Sequence, residues 1–137
     1  MILKKLVVWI MLGVCAGAYA ADPPHTQDGA IAYYFHGTMR CPTCQKLEQY
    51  ARQAIENDFK DELASGKLVF RAVNVDLKEN EHFIADYQLF TKSLVLSMVK
   101  GGVEVKNKNL QQIWELVNNK EKYSTYVSAE VAAFLKD

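Results

Sequence analysis

The sequence predicts an α/β domain in which a central mixed sheet carries helices on both faces, with the elements in the order β-α-β-α-β-β-α. Three observations predict this architecture. A strand, a long helix and a second strand follow one another between residues 30 and 75, two glycines mark a hairpin near residue 101, and helical spacing continues to residue 137. A strand-helix-strand crossover followed by a hairpin and a covering helix gives a sheet with both parallel and antiparallel pairs.

The first strand is predicted over residues 30–36, which are mostly apolar and aromatic. Residues 21–29 before it are polar and include Pro23 and Pro24, a composition typical of a flexible leader. The folded domain is therefore expected to span residues 30–137.

A long helix is predicted after a turn at residues 37–40. Pro42 suits the first helical position because the N–H that proline lacks would have no partner there. Apolar residues then recur at intervals of three and four, and Gly66 supplies a stop, so the helix is expected to end near Ser65.

The second half of the domain is predicted from similar patterns. Residues 68–75 form an apolar strand, whose composition favours a central place in the sheet, and residues 79–90 return to helical spacing. Gly101-Gly102 separates short strands at 94–99 and 103–106, which is a strong hairpin signal. The remainder is helical, with a break near Asn118-Asn119.

Residues 1–20 have the pattern of a secretory signal peptide. Lys4 and Lys5 precede an apolar run of about a dozen residues, and Ala18-Tyr19-Ala20 forms a small-x-small cleavage site. The run is shorter than the ~20 residues that span a bilayer, with a retained anchor as the alternative. Cleavage would remove Cys15 and place the protein in the periplasm or outside the cell, where conditions are oxidising.

Composition bounds the size of the domain and the kind of partner. Removing 20 of 137 residues leaves 117, enough for one core. The removal also takes Lys4 and Lys5 from 16 basic residues, and 14 basic against 16 acidic residues give a net charge of about −2. Because the chain has no basic stripe, phosphate-binding glycine loop or internal repeat, no nucleic-acid partner is expected.

Cys41-Pro42-Thr43-Cys44 stands at the start of the long helix and holds the only cysteines outside residues 1–20. Two thiols at this spacing close a small ring, and the partial positive charge of a helix N-terminus favours the thiolate. In the chain-entropy description, a disulfide that closes a loop this short stabilises a fold by only roughly 2 kcal/mol. Stabilisation of the fold is therefore a weak explanation for the cysteine pair. The placement indicates thiol-disulfide exchange that needs no cofactor beyond the cysteines.

With this order of elements, nearly all of the chain after residue 20 resembles the thioredoxin superfamily. The resemblance rests on Tyr34-Phe35, the cysteine motif, Val73-Asn74-Val75-Asp76, Tyr87-Gln88-Leu89 and the hairpin glycines. It implies a thioredoxin-like three-layer sandwich in which residues 120–137 extend past the minimal domain.

A narrower resemblance involves residues 36–44, 80–83 and 87–93. These segments are similar to small exported thioredoxin-like proteins labelled as ArsF-type nitrophenyl-compound nitroreductase subunits. No flavin-binding pattern is visible in the chain, so the resemblance implies a subunit that passes electrons and does not hold the nitro compound.

The superfamily resemblance implies that Cys41 attacks a substrate disulfide and that Cys44 resolves the mixed disulfide. Arg40 would add a positive charge that stabilises the Cys41 thiolate, and His36 is a candidate proton shuttle. The implied partners are a protein disulfide or dithiol and a second protein, membrane-bound or otherwise, that resets the redox state. The residues between the cysteines leave the direction of electron flow open.

Two departures from the superfamily pattern affect these roles. The superfamily places a cis-proline opposite the cysteines, whereas this chain has Ser93 there, preceded by Lys92, and a trans peptide bond is expected. Tyr33-Tyr34-Phe35 stands where thioredoxins have a buried acid that helps to deprotonate the resolving thiol. Cys44 is therefore expected to react slowly, unless Lys92 or a water compensates.

Two other classes of function stay open. A Cys-x-x-Cys pair is half of a zinc site, but no second pair of ligands follows at suitable spacing, so no structural metal is predicted and weak capture of a thiophilic ion such as arsenite or copper(I) is the alternative. The chain would otherwise be a redox-inert binding subunit with a locked disulfide. A reduction potential below about −300 mV would indicate the locked form.

Overall fold

A four-stranded mixed sheet forms the centre of the computed structural model, which describes residues 28–137. The strands are β1 (Gly29–His36), β2 (Leu68–Asn74), β3 (Ser93–Lys100) and β4 (Val103–Asn109). The helices are α1 (Pro42–Asp58), α2 (Lys60–Ser65), α3 (His82–Asp86), α4 (Ile113–Leu116) and α5 (Lys120–Lys136), with a 3-10 turn at Lys78–Asn80. The predicted signal segment, and the predicted leader up to residue 27, lie outside the described residues.

The strands lie in the order β2-β1-β3-β4. β1 runs parallel to β2, with His36 opposite Asn74, and antiparallel to β3, with Phe35 opposite Ser93. β3 and β4 form an antiparallel hairpin. This arrangement confirms the predicted α/β class and its thioredoxin-like form, and it places the carboxyl end of β1 next to the start of β3.

Successive side chains of β1 point to opposite faces of the sheet. Ala32 and Tyr34 enter the larger core together with α1, α4 and α5. Tyr33 and Phe35 enter a smaller aromatic cluster on the other face, where Phe83 of α3 packs at 5.1 Å from Phe35 between ring centres. The helices therefore cover both faces, as predicted. The larger fully buried side chains of the first core include Leu47, Ile55, Leu96, Leu110, Ile113, Tyr123 and Val127.

β2 is an edge strand, and the prediction of a central place was wrong. Among residues 28–137 its only strand partner is β1. Its apolar residues are covered from two sides instead: Leu68 joins the larger core and Val73 the aromatic cluster. The Arg52 guanidinium lies 4.5 Å from the ring centre of Phe70. The apolar composition of β2 thus reflects the burial of its side chains on both faces of the sheet. It does not indicate how many strands lie beside β2.

The helix predicted over residues 42–65 is two helices. The backbone leaves helical geometry at Phe59 (φ −126°, ψ 41°), which separates α1 from α2. The Phe59 side chain is buried in the larger core, so the apolar spacing continues across the break and conceals it. Gly66 adopts φ 78° and ends α2 as predicted.

The helix predicted over residues 79–90 is also shorter in the structure. Only the 3-10 turn and α3 form there, and residues 87–92 make the loop that leads into β3. Gln88 has φ 51°, a left-handed conformation that is uncommon outside glycine. This loop ends at Lys92, immediately before Ser93, which is the first residue of β3.

The hairpin prediction is confirmed, although both strands are longer than expected. Gly101 (φ 60°) and Gly102 (φ 75°) both occupy the left-handed region, as a tight two-residue turn requires. The β3–β4 register shifts between Met98 and Val99, which marks a bulge.

The C-terminal segment, which the resemblance placed past a minimal domain, forms α5 and belongs to the larger core. Tyr123, Val127 and Val131 of α5 are buried against the sheet and α1. The Asn119 side chain caps α5 by accepting from the backbone N–H of Lys122 at 3.0 Å, which confirms the predicted break. No helix between residues 28 and 137 combines the length and the hydropathy that traversing a bilayer would require.

Candidate active site around Cys41 and Cys44

Cys41 and Cys44 form a disulfide at the start of α1. Cys41 is exposed and is the N-cap residue of the helix, while Cys44 is only 2% exposed. Pro42 and Thr43 lie between them, exposed in the first turn. The backbone N–H of Cys44 donates to Sγ of Cys41 at 3.1 Å. A helix N-terminus with an N–H aimed at this sulfur would stabilise a Cys41 thiolate after reduction.

Tyr34 of β1 lies beneath the pair, in the segment where the resemblance places an acid. The side chain is fully buried, and its hydroxyl donates to the carbonyl oxygen of Cys44 at 2.8 Å. Burial raises the pKa of the Tyr34 hydroxyl, and the charge of Glu48 adds to this rise while Arg40 opposes it. The hydroxyl therefore stays protonated at neutral pH, and it ties α1 to β1 without acting as a base.

A second buried tyrosine supports the same helix. The Tyr123 hydroxyl, from α5, donates to the carbonyl oxygen of Leu47 at 2.7 Å. Burial also raises the pKa of the Tyr123 hydroxyl. Two protonated phenols, from opposite ends of the chain, thus hold successive turns of α1 beneath the disulfide.

Arg40 stands immediately before Cys41, and its guanidinium binds Glu48 of α1. Glu48 lies one turn after Cys44, with a side chain that is 15% exposed. Its other carboxylate oxygen accepts from Arg52 at 3.3 Å. The positive charge of Arg40, which was expected to stabilise the Cys41 thiolate, is therefore paired with the Glu48 carboxylate.

His36 is at the end of β1, beside the same guanidinium. Its Nδ1 lies 2.9 Å from the Gly37 carbonyl oxygen, an arrangement that assigns the proton to Nδ1. Nε2 is then free to accept from Arg40 Nη1, 3.3 Å away. These contacts place His36 in the charge network before Cys41, and its role as a proton shuttle stays a prediction.

Lys92 and Ser93 connect the loop to β3. The buried Ser93 hydroxyl donates to the Thr91 carbonyl oxygen at 2.9 Å, and the Lys92 carbonyl oxygen accepts from the Trp114 indole N–H at 2.9 Å. The peptide bonds of residues 28–137 are all trans, as expected at Ser93. Trp114 of α4 thereby anchors this loop.

A cleft of about 250 Å³ separates the turn before Cys41 from the loop before β3. Met39 and Phe90 line it, and their side chains are 82% and 97% exposed. Lys92 contributes to the same lining. The turn that leads into Cys41 therefore borders an open, partly apolar cleft.

Sequence reasoning missed Glu48 as part of the site. A single glutamate in a helix resembles any solvated residue. The available signal was the spacing of Glu48, four residues from both Cys44 and Arg52, which puts the three on one helix face.

Within residues 28–137, no group of three or more His, Cys, Asp or Glu side chains is placed to hold a metal ion.

No family model and no curated protein matches the chain. Solved structures do match. Oxidised thioredoxin from Plasmodium falciparum is 19% identical, with 72% of this chain and 85% of that chain covered and a TM-score of 0.41. Fasciola hepatica thioredoxin is 19% identical, with 69% and 84% covered and a TM-score of 0.40. A cysteine-to-serine mutant of Entamoeba histolytica thioredoxin is 22% identical, with 66% and 83% covered and a TM-score of 0.40.

The order and direction of the strands define the fold of this chain. The narrower ArsF-type resemblance is untouched by these matches and stays a prediction.

Proposed function

We propose that this protein is an exported thiol-disulfide oxidoreductase in which Cys41 attacks and Cys44 resolves. The proposal depends mainly on the asymmetry of the pair. Cys41 is exposed at the N-cap of α1, while Cys44 is buried behind it and bonded to it. An attacking thiol must be reachable and easily ionised, whereas a resolving thiol needs only to reach its neighbour.

In the reducing direction, the Cys41 thiolate attacks one sulfur of a substrate disulfide. A mixed disulfide forms, and the other substrate sulfur leaves as a thiolate that takes a proton from solvent. Cys44 then loses its proton and attacks Sγ of Cys41, which releases the second substrate thiolate and closes the Cys41-Cys44 disulfide. Two electrons pass from the cysteine pair to the substrate, and the opposite direction is the reverse of these steps.

The surroundings support the two steps unequally. The N–H of Cys44 and the start of α1 favour the Cys41 thiolate, which assists the attack. Beneath Cys44 the nearest phenol, Tyr34, keeps its own proton and offers no base. We therefore expect resolution by Cys44 to be slower than attack by Cys41.

Export and partners complete the proposal. Residues 1–20 support export into an oxidising compartment, where a reductase needs a dithiol partner and an oxidase needs an electron acceptor. The exposed Met39 and Phe90, which line the cleft beside the turn before Cys41, suit a protein substrate with apolar residues near its cysteine. The ArsF-type resemblance supports electron transfer to such a protein.

Trapping of mixed disulfides tests the proposal. Cys44→Ser should accumulate covalent partners that are released by reductant, because the intermediate on Cys41 can no longer be resolved. Cys41→Ser is the matched control, since it keeps one cysteine but loses the exposed one, and it should trap none. Equal trapping by both variants, or a wild-type reduction potential below about −300 mV with no reduction of insulin, would overturn the proposal.

A further inference from the structure

The ion pair of Arg40 and Glu48 borders the cysteines but takes no part in the exchange steps above. Arg40 precedes the attacking cysteine, and Glu48 follows the resolving one by a single helical turn. The pair thus spans the start of α1 on the side of Tyr34, whose hydroxyl responds to the charges of both residues. A charged pair in this position acts on any anion that forms at Cys41.

Glu48 is held firmly. Its second oxygen accepts from Arg52, and Arg52 in turn lies over the ring of Phe70, 4.5 Å from its centre. The carboxylate is also mostly shielded from water, with 15% of the side chain exposed. A shielded carboxylate interacts with its neighbours more strongly than a solvated one.

Arg40 retains capacity for a second anion. Its Nε is buried and has no hydrogen-bond partner among residues 28–137. Its Nη1 contacts the ring of His36, with Nε2 at 3.3 Å. Reduction of the disulfide would create an anion at Cys41, the next residue in the chain, so two anions would then compete for one guanidinium.

We infer that Glu48 is a positioning residue that holds Arg40 away from the Cys41 thiolate and so keeps the cysteine pair more reducing than it would otherwise be. The inference rests on the proposed function. A thiolate that receives less of the Arg40 charge is less stable, and a less stable reduced form gives up its electrons more readily. Glu48 would in this way bias the direction of exchange toward reduction of the substrate.

Other charged groups line the cleft beside the turn before Cys41 and must be kept constant in a test. These are His36 at the end of β1, Lys92 in the loop before β3 and Asp76 after β2, whose carboxylate accepts from the Thr38 N–H at 2.6 Å. Glu48→Gln leaves all three in place and preserves the shape of the side chain. A change in the reactivity of the Cys41 thiol is then caused by the loss of the Glu48 charge.

The experiment uses the reduced protein and two readouts: the rate of Cys41 alkylation by iodoacetamide as a function of pH, and the equilibrium with glutathione. In Glu48→Gln the midpoint of the alkylation profile should move down by about one pH unit, because Arg40 is released to the thiolate. The dithiol form should become about tenfold more favoured against glutathione, which corresponds to about 30 mV for a two-electron couple.

Two further variants make the result specific. Glu56→Gln removes an equivalent charge from α1, where Glu56 contacts Arg52 at 3.9 Å, and it should leave both readouts unchanged. In an Arg40→Met background, Glu48→Gln should move the midpoint by less than half as much. An equal shift in that background, or no shift in Glu48→Gln, would overturn the inference.

The two proposals fail in different ways. If the wild-type protein traps partners and reduces insulin but Glu48→Gln behaves like the wild type, only the role of Glu48 is wrong. If wild-type Cys41 reacts no faster than a free peptide thiol and captures nothing, the proposed function itself is wrong.

Discussion

Tyr34 shows how one hydroxyl supports the candidate site. Tyr34→Phe removes the donor to the Cys44 carbonyl oxygen and keeps the ring in place. We expect the free energy of unfolding of the oxidised protein to fall by about 1 kcal/mol, the net value of a buried hydrogen bond, as measured by urea denaturation. Tyr50→Phe is the control, because the Tyr50 hydroxyl makes no hydrogen bond to other residues between 28 and 137, and an equal loss in both variants would contradict the role of Tyr34.

Residues of the site differ in how visible they are in the sequence. The cysteine motif was evident because two thiols at this spacing, beside a helix start, have few other uses. Glu48 was not evident, because its partner Arg40 is eight residues away and reaches it only after the chain turns at the end of β1. Contacts made through a turn leave no periodic signal in the sequence.

At the level of single elements, Asn119 sets the start of α5. Its side chain accepts from the Lys122 N–H, one of the helix donors that lacks a backbone partner. Asn119→Ala should lower the free energy of unfolding by about 1 kcal/mol in thermal or urea denaturation. The neighbouring exposed Asn118→Ala provides the control and should change stability little, so a larger loss there would contradict the capping role.

Elements with local signals were predicted well, and those that depend on distant contacts were not. The glycine hairpin, the stop at Gly66 and the break before α5 each follow from the conformational preferences of one or two residues. The break at Phe59 and the edge position of β2 depend on packing that the local pattern does not contain. Hydrophobic spacing reports which side chains are covered, but not by which element.

The molecule as a whole should be sensitive to alkali. Burial raises the pKa of both Tyr34 and Tyr123 above the ordinary value of 10.0. The unfolded chain would release these protons near pH 10 while the folded protein retains them, so stability is full below pH 10 and decreases as the pH rises further. Each fully buried phenol should contribute a loss of about 1.4 kcal/mol per pH unit, measured by urea unfolding of the oxidised protein between pH 9 and 11.

Tyr123→Phe provides the check on this interpretation. The variant will be less stable at neutral pH, because it loses the hydrogen bond to Leu47, but its stability should fall less steeply above pH 10. Parallel slopes for the wild type and the variant would show that groups other than this phenol cause the alkaline transition.

The register shift between Met98 and Val99 also has a consequence for crowded solutions of this protein. β4 is the outer strand of the hairpin. The unpaired backbone N–H and C=O groups of an edge strand can pair with a strand from a neighbouring molecule. A bulge increases the local twist of a strand, and the charged Lys106 and Lys108 contact Phe134 and Glu130 of α5. Pairing with a strand of a neighbouring molecule is therefore disfavoured at this edge of the sheet.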